Sequence, residues 1–151
     1  MNWPKKSGTV LVPFDFSDPS KEALRVALQF VGRPDQVLVL YAVTPLLVTE
    51  PGVVWNTLNE DDARRGAMDS LSEALAGMDL GDVRRDVQVG IAANVILERA
   101  KREDAEMIVI STHGRSGVRR FFMGSVAELV VRHAECPVLV LRHGVDGDPS
   151  T

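Results

Sequence analysis

Cysteine is almost missing from this chain of 151 residues: Cys136 stands alone. A lone thiol cannot close an internal disulfide, and Cys136 lacks the Cys and His neighbours of a zinc site, so neither a disulfide scaffold nor a zinc module is at hand. Just before Pro137, it reads as a small buried residue. Aromatic residues are scarce at 5%. The core must therefore come from Val, Leu, Ile and Ala, which suits strands buried on both faces. No apolar run approaches the roughly 20 residues of a membrane-spanning helix, and Met1–Lys6 lacks the apolar core of a signal peptide. A basic surplus is absent too: the formal net charge is −4, which weighs against a nucleic acid or an anionic membrane as partner. The expected compartment is the cytoplasm.

What is present is ordinary globular material, 45% hydrophobic and 25% charged, at a length that fits one domain with a core of its own over residues 1–151. Five short apolar runs alternate with four segments of helical period. Val10–Val12 ends in Pro13-Phe14-Asp15. Asp18-Pro19 then predicts a helix start, with Asp18 as cap and Pro19 at the first helical position. Leu24, Ala27, Leu28 and Val31 form its stripe, and Gly32 closes it. Val37–Val43 reads as a buried strand and Thr44–Leu58 as a long loop. Asn59–Met78 is the second helix, with its stripe at Ala67, Leu71, Ala74, Leu75 and Met78. Val83–Val89 reads as a less buried strand, followed by a helix with Ala93, Ile96, Leu97 and Ala100 inward. Met107–Ile110 is the fourth strand and Ser111–Met123 a loop. Ser125–Ala134 is the last helix, with Val126, Leu129, Val130 and His133 on one stripe, and Val138–Leu141 is the fifth strand. A polar tail runs from His143. Strand and helix alternating throughout predict an α/β fold: an open parallel sheet with helices on both faces, joined by right-handed crossovers.

Ligands of such sheets bind beyond the carboxyl ends of the strands. Here those ends carry Pro13-Phe14-Asp15, Tyr41-Ala42-Val43 and the loop from Ser111 to Ser125. The loop holds Gly114, Gly117 and Gly124 and leads into a helix, whose first N–H groups and positive dipole end suit an anion. His113, Arg115, Arg119 and Arg120 add cationic or potentially cationic groups, with no acidic residue between Glu106 and Glu128. A plainer alternative stands beside this one. Ser125-x-x-Glu128 is also a capping box, so Ser125 caps its own helix in that reading. Spacing alone leaves the two open, because neither G-x-x-x-x-G-K-[ST] nor a G-x-G-x-x-G at the first helix is present.

Met107 to Arg142, MIVISTHGRSGVRRFFMGSVAELVVRHAECPVLVLR, closely resembles the C-terminal half of universal stress proteins. VLVPFDFSDPSKEAL at Val10–Leu24 resembles the first strand and helix of the same family, and VQVGIAANVILERAKRED lies between. The resemblance covers the chain apart from the Thr44–Asn59 loop and the tail. It implies a Rossmann-like five-stranded sheet in the order 3-2-1-4-5 with four helices.

Members that bind ATP carry G-x-x-G, nine residues, then G-[ST]. Here Ser111-Thr112-His113-Gly114 is followed by Arg115 to Met123 and then Gly124-Ser125, so Ser111 replaces the first glycine. The resemblance implies that Gly114, Gly124, Ser125 and Val126 face the phosphates, with Arg115 beside them. It places Ser111, Thr112 and His113 near the ribose, and Pro13, Phe14, Asp15 and the Ala42 backbone at the adenine. If the first position needs φ > 0 or a bare Cα, serine there costs about 1 kcal/mol or more. If it needs only a small residue, serine is tolerable. Ala92 stands where the family often has proline. The implied function is an ATP-binding stress-response or regulatory module without rapid turnover, any Mg2+ riding on the phosphates. A symmetric homodimer through edge strand Val138–Leu141 is also implied. Two alternatives are a dimeric interaction protein that does not bind nucleotide, which Ser111 favours, and a slow ATPase. No arrangement of nucleophile, base and orienting group is recognisable for catalysis, so no catalytic residue is expected and no protein-held metal.

Overall fold

In the strands of this protein, neighbouring side chains point to opposite faces, and that alternation sorts the apolar residues into two cores. The fold is given by a computed structural model for residues 8–44, 60–112 and 123–142. Expectations on the loop beyond Thr44, on His113 to Arg120 and on the tail fall outside the described residues. Among those residues, β1 (Val10–Pro13), β2 (Val37–Val43), β3 (Arg84–Val89), β4 (Met107–Ser111) and β5 (Val138–Leu141) alternate with four helices. These are α1 (Asp18–Phe30), α2 (Glu60–Ala76), α3 (Ala92–Arg102) and α4 (Ser125–His133).

All four strand pairings are parallel and the order is β3-β2-β1-β4-β5, as expected. Val10, Val12, Val37, Val39, Met107 and Val109 face Leu24 and Ala27 of α1 and Leu71 and Leu75 of α2. Leu11, Leu38, Leu40, Ile108 and Ile110 face Val95, Ile96 and Ala100 of α3 and Ala127 and Val130 of α4. Each large side chain so removed from water contributes about 1.5–3 kcal/mol. The two cores meet only through the strands, so register decides which residue serves which. Both outer strands are less buried: in β3 only Val87 is fully buried, and all four residues of β5 are half-buried.

Several local expectations need correction. Ser17, not Asp18, is the N-cap of α1; its hydroxyl accepts from the Ser20 N–H at 3.2 Å, and Pro19 is the second helical residue. Ser17 wins because its backbone is extended (φ −73°, ψ 156°) while Asp18 is already helical. The helix ends where Val31 turns extended, and Gly32 takes no left-handed φ. A short 3-10 turn, Pro34–Gln36, leads into β2, and the Gln36 side-chain Oε1 caps it by accepting from the N–H groups of Gly32 (3.0 Å) and Arg33 (2.9 Å). The inward face of α3 includes Val95 and leaves Leu97 half-buried. In α4 the buried residues are Ala127 and Val130; Leu129 is 41% exposed and His133 is exposed, so that stripe is rotated from the expected one. Its amphipathic pattern was ambiguous because Leu129, Val130 and Val131 are consecutive.

One ion network ties β3 to α3. Arg99 reaches Asp86 at 3.4 Å and Glu103 at 2.9 Å, and Arg84 also meets Glu103 at 2.9 Å. Asp86 is further held by the Val87 N–H and the Gln88 amide, both at 2.9 Å.

Candidate functional site: a cleft at the carboxyl ends of strands β1, β2 and β4

Because the crossovers run from each strand end to the next strand start, the carboxyl ends of β1, β2 and β4 come out side by side. A cleft of about 340 Å³ opens there, within the range of small-molecule sites. Pro13, Phe14 and Asp15 form one wall, Ala42 with Tyr41 and Thr44 another, and Ser111 and Thr112 the third. Gly124, Ser125, Val126 and Ala127 from the start of α4 close the end. The candidate residues from all four segments therefore converge on one cleft, although the first and last lie more than a hundred positions apart in the chain. His113, Gly114 and Arg115 lie outside the described residues.

The helix start carries the anion-binding potential. Gly124 is the N-cap of α4, in an extended conformation (φ −57°, ψ 154°), and Ser125 is already helical. With Gly124 at the N-cap and Ser125 inside the helix, the capping-box alternative for Ser125 is not realised. Glu128 instead pairs with Arg132 at 2.8 Å, one turn on. Helix geometry leaves the first-turn N–H groups without intrahelical acceptors, and the residues that carry them, Ser125, Val126 and Ala127, line the cleft. Gly124 is required by close approach rather than by φ. Its N–H donates to the Thr112 carbonyl at 2.6 Å, and a Cβ at Gly124 would lie 2.8 Å from that same oxygen. Thr112 in turn donates its N–H to Leu141 O at 2.9 Å, which fixes the end of β4 between α4 and β5.

Ser111 is the last residue of β4, aligned with Leu141, and is not among the residues of positive φ. The position therefore makes no conformational demand for glycine. Among the described residues, the non-glycine one that is left-handed near the cleft is Phe16 (φ 67°), in the β1–α1 turn. A side chain there costs roughly 1–3 kcal/mol. The Phe16 ring packs edge-on against Phe14 (centroids 5.2 Å apart) and Tyr41 (4.9 Å), which holds the turn. Asp15 is the one charged side chain among the described lining residues. Its carboxylate accepts from the Ser17 N–H at 3.1 Å and from the Ser17 hydroxyl. Ser20, 3% exposed, donates to Ser17 O at 2.8 Å. Ser17 and Ser20 escaped the sequence-based candidates; a serine doublet flanking a helix start was their only signal.

The match to the universal stress protein family model spans residues 6–142. This chain belongs to the universal stress protein family. A universal stress protein of Methanocaldococcus jannaschii is 31% identical over 138 residues, 88% of this chain and 81% of the relative. Among solved structures, the universal stress protein UspA of Lactobacillus plantarum superposes with a TM-score of 0.64 at 23% identity, covering 91% of this chain and 99% of that one. A universal stress protein of Archaeoglobus fulgidus, solved in complex with dAMP, superposes with a TM-score of 0.58 at 24% identity, covering 90% and 98%. These likenesses place the five-stranded parallel sheet and its four helices within the family's fold. No helix among the described residues of this universal stress protein is long and apolar enough to cross a membrane.

Proposed function

We propose that this universal stress protein is a single-domain regulatory module that binds ATP in the cleft described above and works as a cytoplasmic homodimer without rapid turnover. The observation that carries it is the start of α4, whose N-cap is Gly124, held by the Gly124–Thr112 hydrogen bond at the end of a cleft that Pro13, Phe14 and Ala42 also line. First-turn amides and the helix dipole suit phosphate oxygens. Pro13, Phe14 and the Ala42 backbone suit a flat base, with Asp15 at its edge. Ser111 and Thr112 lie between the two ends, where a ribose belongs. The dAMP complex of the Archaeoglobus relative supports an adenine nucleotide as the ligand class.

The residues fit a metal only indirectly. Asp15 is the single acidic group among the described lining residues, and no cluster of three or more ligating side chains occurs among the described residues. A divalent ion would therefore travel with the nucleotide's phosphates. For the dimer, β5 is the sheet edge beyond β4, its four apolar residues half-buried, with Leu129 and Val131 of α4 exposed at 41% and 43%. A second copy covering that edge would satisfy its backbone groups.

The test is calorimetric titration of the purified protein with ATP, together with chromatography of the supernatant after denaturation. Heat of binding or released adenine nucleotide is expected. If neither is seen, the protein is instead a dimeric interaction module that binds no nucleotide.

A further inference from the structure

We propose that Arg64 and Asp86 close the β3 edge of the sheet to strand pairing, so that a second copy of this chain docks on β5 alone and assembly ends at two. The choice of β5 rests on the homodimer reading above; the closure of β3 stands on observations of its own.

Each outer strand of an open sheet turns the N–H and C=O of every second residue away from the sheet. Bonds at the strand ends fix the phase. Gly90 donates its N–H to Val43 O at 2.9 Å, so the even-numbered residues of β3 face β2, and Arg85, Val87 and Val89 face outward. At the opposite edge, Pro137 O and Leu141 O accept from the N–H groups of Ile108 (3.0 Å) and Thr112 (2.9 Å). Val138 and Val140 of β5 therefore face outward.

The two edges differ in how those groups are met. Val87 is the middle residue of the outward three, and it is buried. Its N–H donates to Asp86 Oδ1 at 2.9 Å, and its carbonyl accepts from Arg64 Nε of α2 at 3.3 Å. Asp86 is itself held by Gln88 at 2.9 Å and Arg99 at 3.4 Å. A strand arriving at this edge must displace both side chains, and it must also cover the exposed Arg84 and Arg85. On β5, no hydrogen bond among the described residues takes up the outward groups of Val138 and Val140, and all four side chains are apolar.

Symmetry sets the consequence. β5 against β5 uses the same patch on both copies and closes as a two-fold pair, whereas β5 against β3 is head-to-tail and repeats without end. With β3 shut, neither that chain of copies nor a β3-to-β3 link between dimers forms.

The test removes both side-chain partners of Val87 in the double variant Arg64→Met/Asp86→Val. Arg99→Met is the control, since it disturbs the same ion network and leaves both partners in place. Each protein is followed by sedimentation velocity over a range of concentrations, with urea unfolding to confirm that it is folded. Wild type and Arg99→Met are expected to stop at the dimer, and the mass of the double variant to keep rising past it. A double variant that stops where wild type stops overturns the inference. So does wild type growing past the dimer, or Arg99→Met growing as far as the double variant. A monomeric wild type overturns the homodimer reading alone; the β3 edge is then judged by whether the double variant associates. Amide exchange on wild type decides the matter even if the double variant does not fold. The Val87 N–H should exchange about tenfold or more slowly than in the unfolded chain at every concentration, and the Val140 N–H should be slowed only where copies associate. A freely exchanging Val87 N–H overturns the inference, as does a Val140 N–H that stays unprotected in the dimer.

Discussion

Substituting Gly124 by alanine probes the joint between the sheet and the candidate phosphate end. The backbone there, φ −57° and ψ 154°, is open to any residue, so no conformational penalty arises. The penalty is steric. A Cβ would sit 2.8 Å from the Thr112 carbonyl oxygen, a main-chain atom that already accepts the Gly124 N–H at 2.6 Å. Relief requires β4 and α4 to part by several tenths of an ångström, and such overpacking costs about 1–3 kcal/mol. Alanine is also a poorer N-cap than glycine, adding about 0.5–1 kcal/mol. Against these, alanine stiffens the unfolded chain and returns about 0.4–1 kcal/mol. The expected net loss is about 1–3 kcal/mol, read as a lower urea midpoint at unchanged slope. Because the first-turn amides move with the joint, affinity for ATP should fall as well. A larger residue such as valine would not serve, since it confounds loss of ligand space with this clash. An alanine variant as stable as wild type would refute the reasoning, for the Thr112–Gly124 contact would then be slack.

Other expectations follow from the packing and the charges. Leu11→Ala, at a site with 0% exposure between α3 and α4, should lose about 2–5 kcal/mol by urea unfolding. Arg99→Met should cost about 1–3 kcal/mol, because Asp86 and Glu103, each only 17% exposed, lose a shared cation; Arg99→Lys should recover only part, since one ammonium cannot fork to both. Ile91→Ser, at the exposed N-cap of α3 where the native side chain makes no capping bond, should raise stability by about 0.5–2 kcal/mol, read as a higher urea midpoint. Burial pushes the Cys136 thiol above its ordinary pKa, with the Glu135 carboxylate adding to the rise. The native chain therefore keeps its proton where the unfolded chain sheds it. Stability from this group is intact below the unfolded thiol's pKa and falls as pH climbs past it toward the native value, a decline that Cys136→Ala should lessen in alkaline urea titrations.

The alternation of strand and helix was legible because its signals are local. Val37–Val43 is a run of apolar residues without turn formers, and Leu71, Ala74, Leu75 and Met78 recur with the helical period. Spacing of that sort depends only on neighbours in the chain. Caps were less legible. Asp18 and Ser17 are both good capping residues, and which one turns extended depends on how Phe16 enters the turn, a choice made by Phe14 and Tyr41 across the sheet. The exposure of Leu129 likewise depends on how α4 rotates against α3 and β5, which no period within nine residues can specify.

By itself, then, the amino-acid order determined the elements, their alternation and the residue types available at each strand end, since backbone sterics and side-chain period act over a few positions. Only the folded sheet decided that Asp15, Ala42, Ser111 and Gly124 share one cleft, that Gly124 is needed for its contact with Thr112, and that Ser17 holds Asp15. Those outcomes depend on contacts between segments far apart in the chain, formed when parallel crossovers bring the strand ends to the same side.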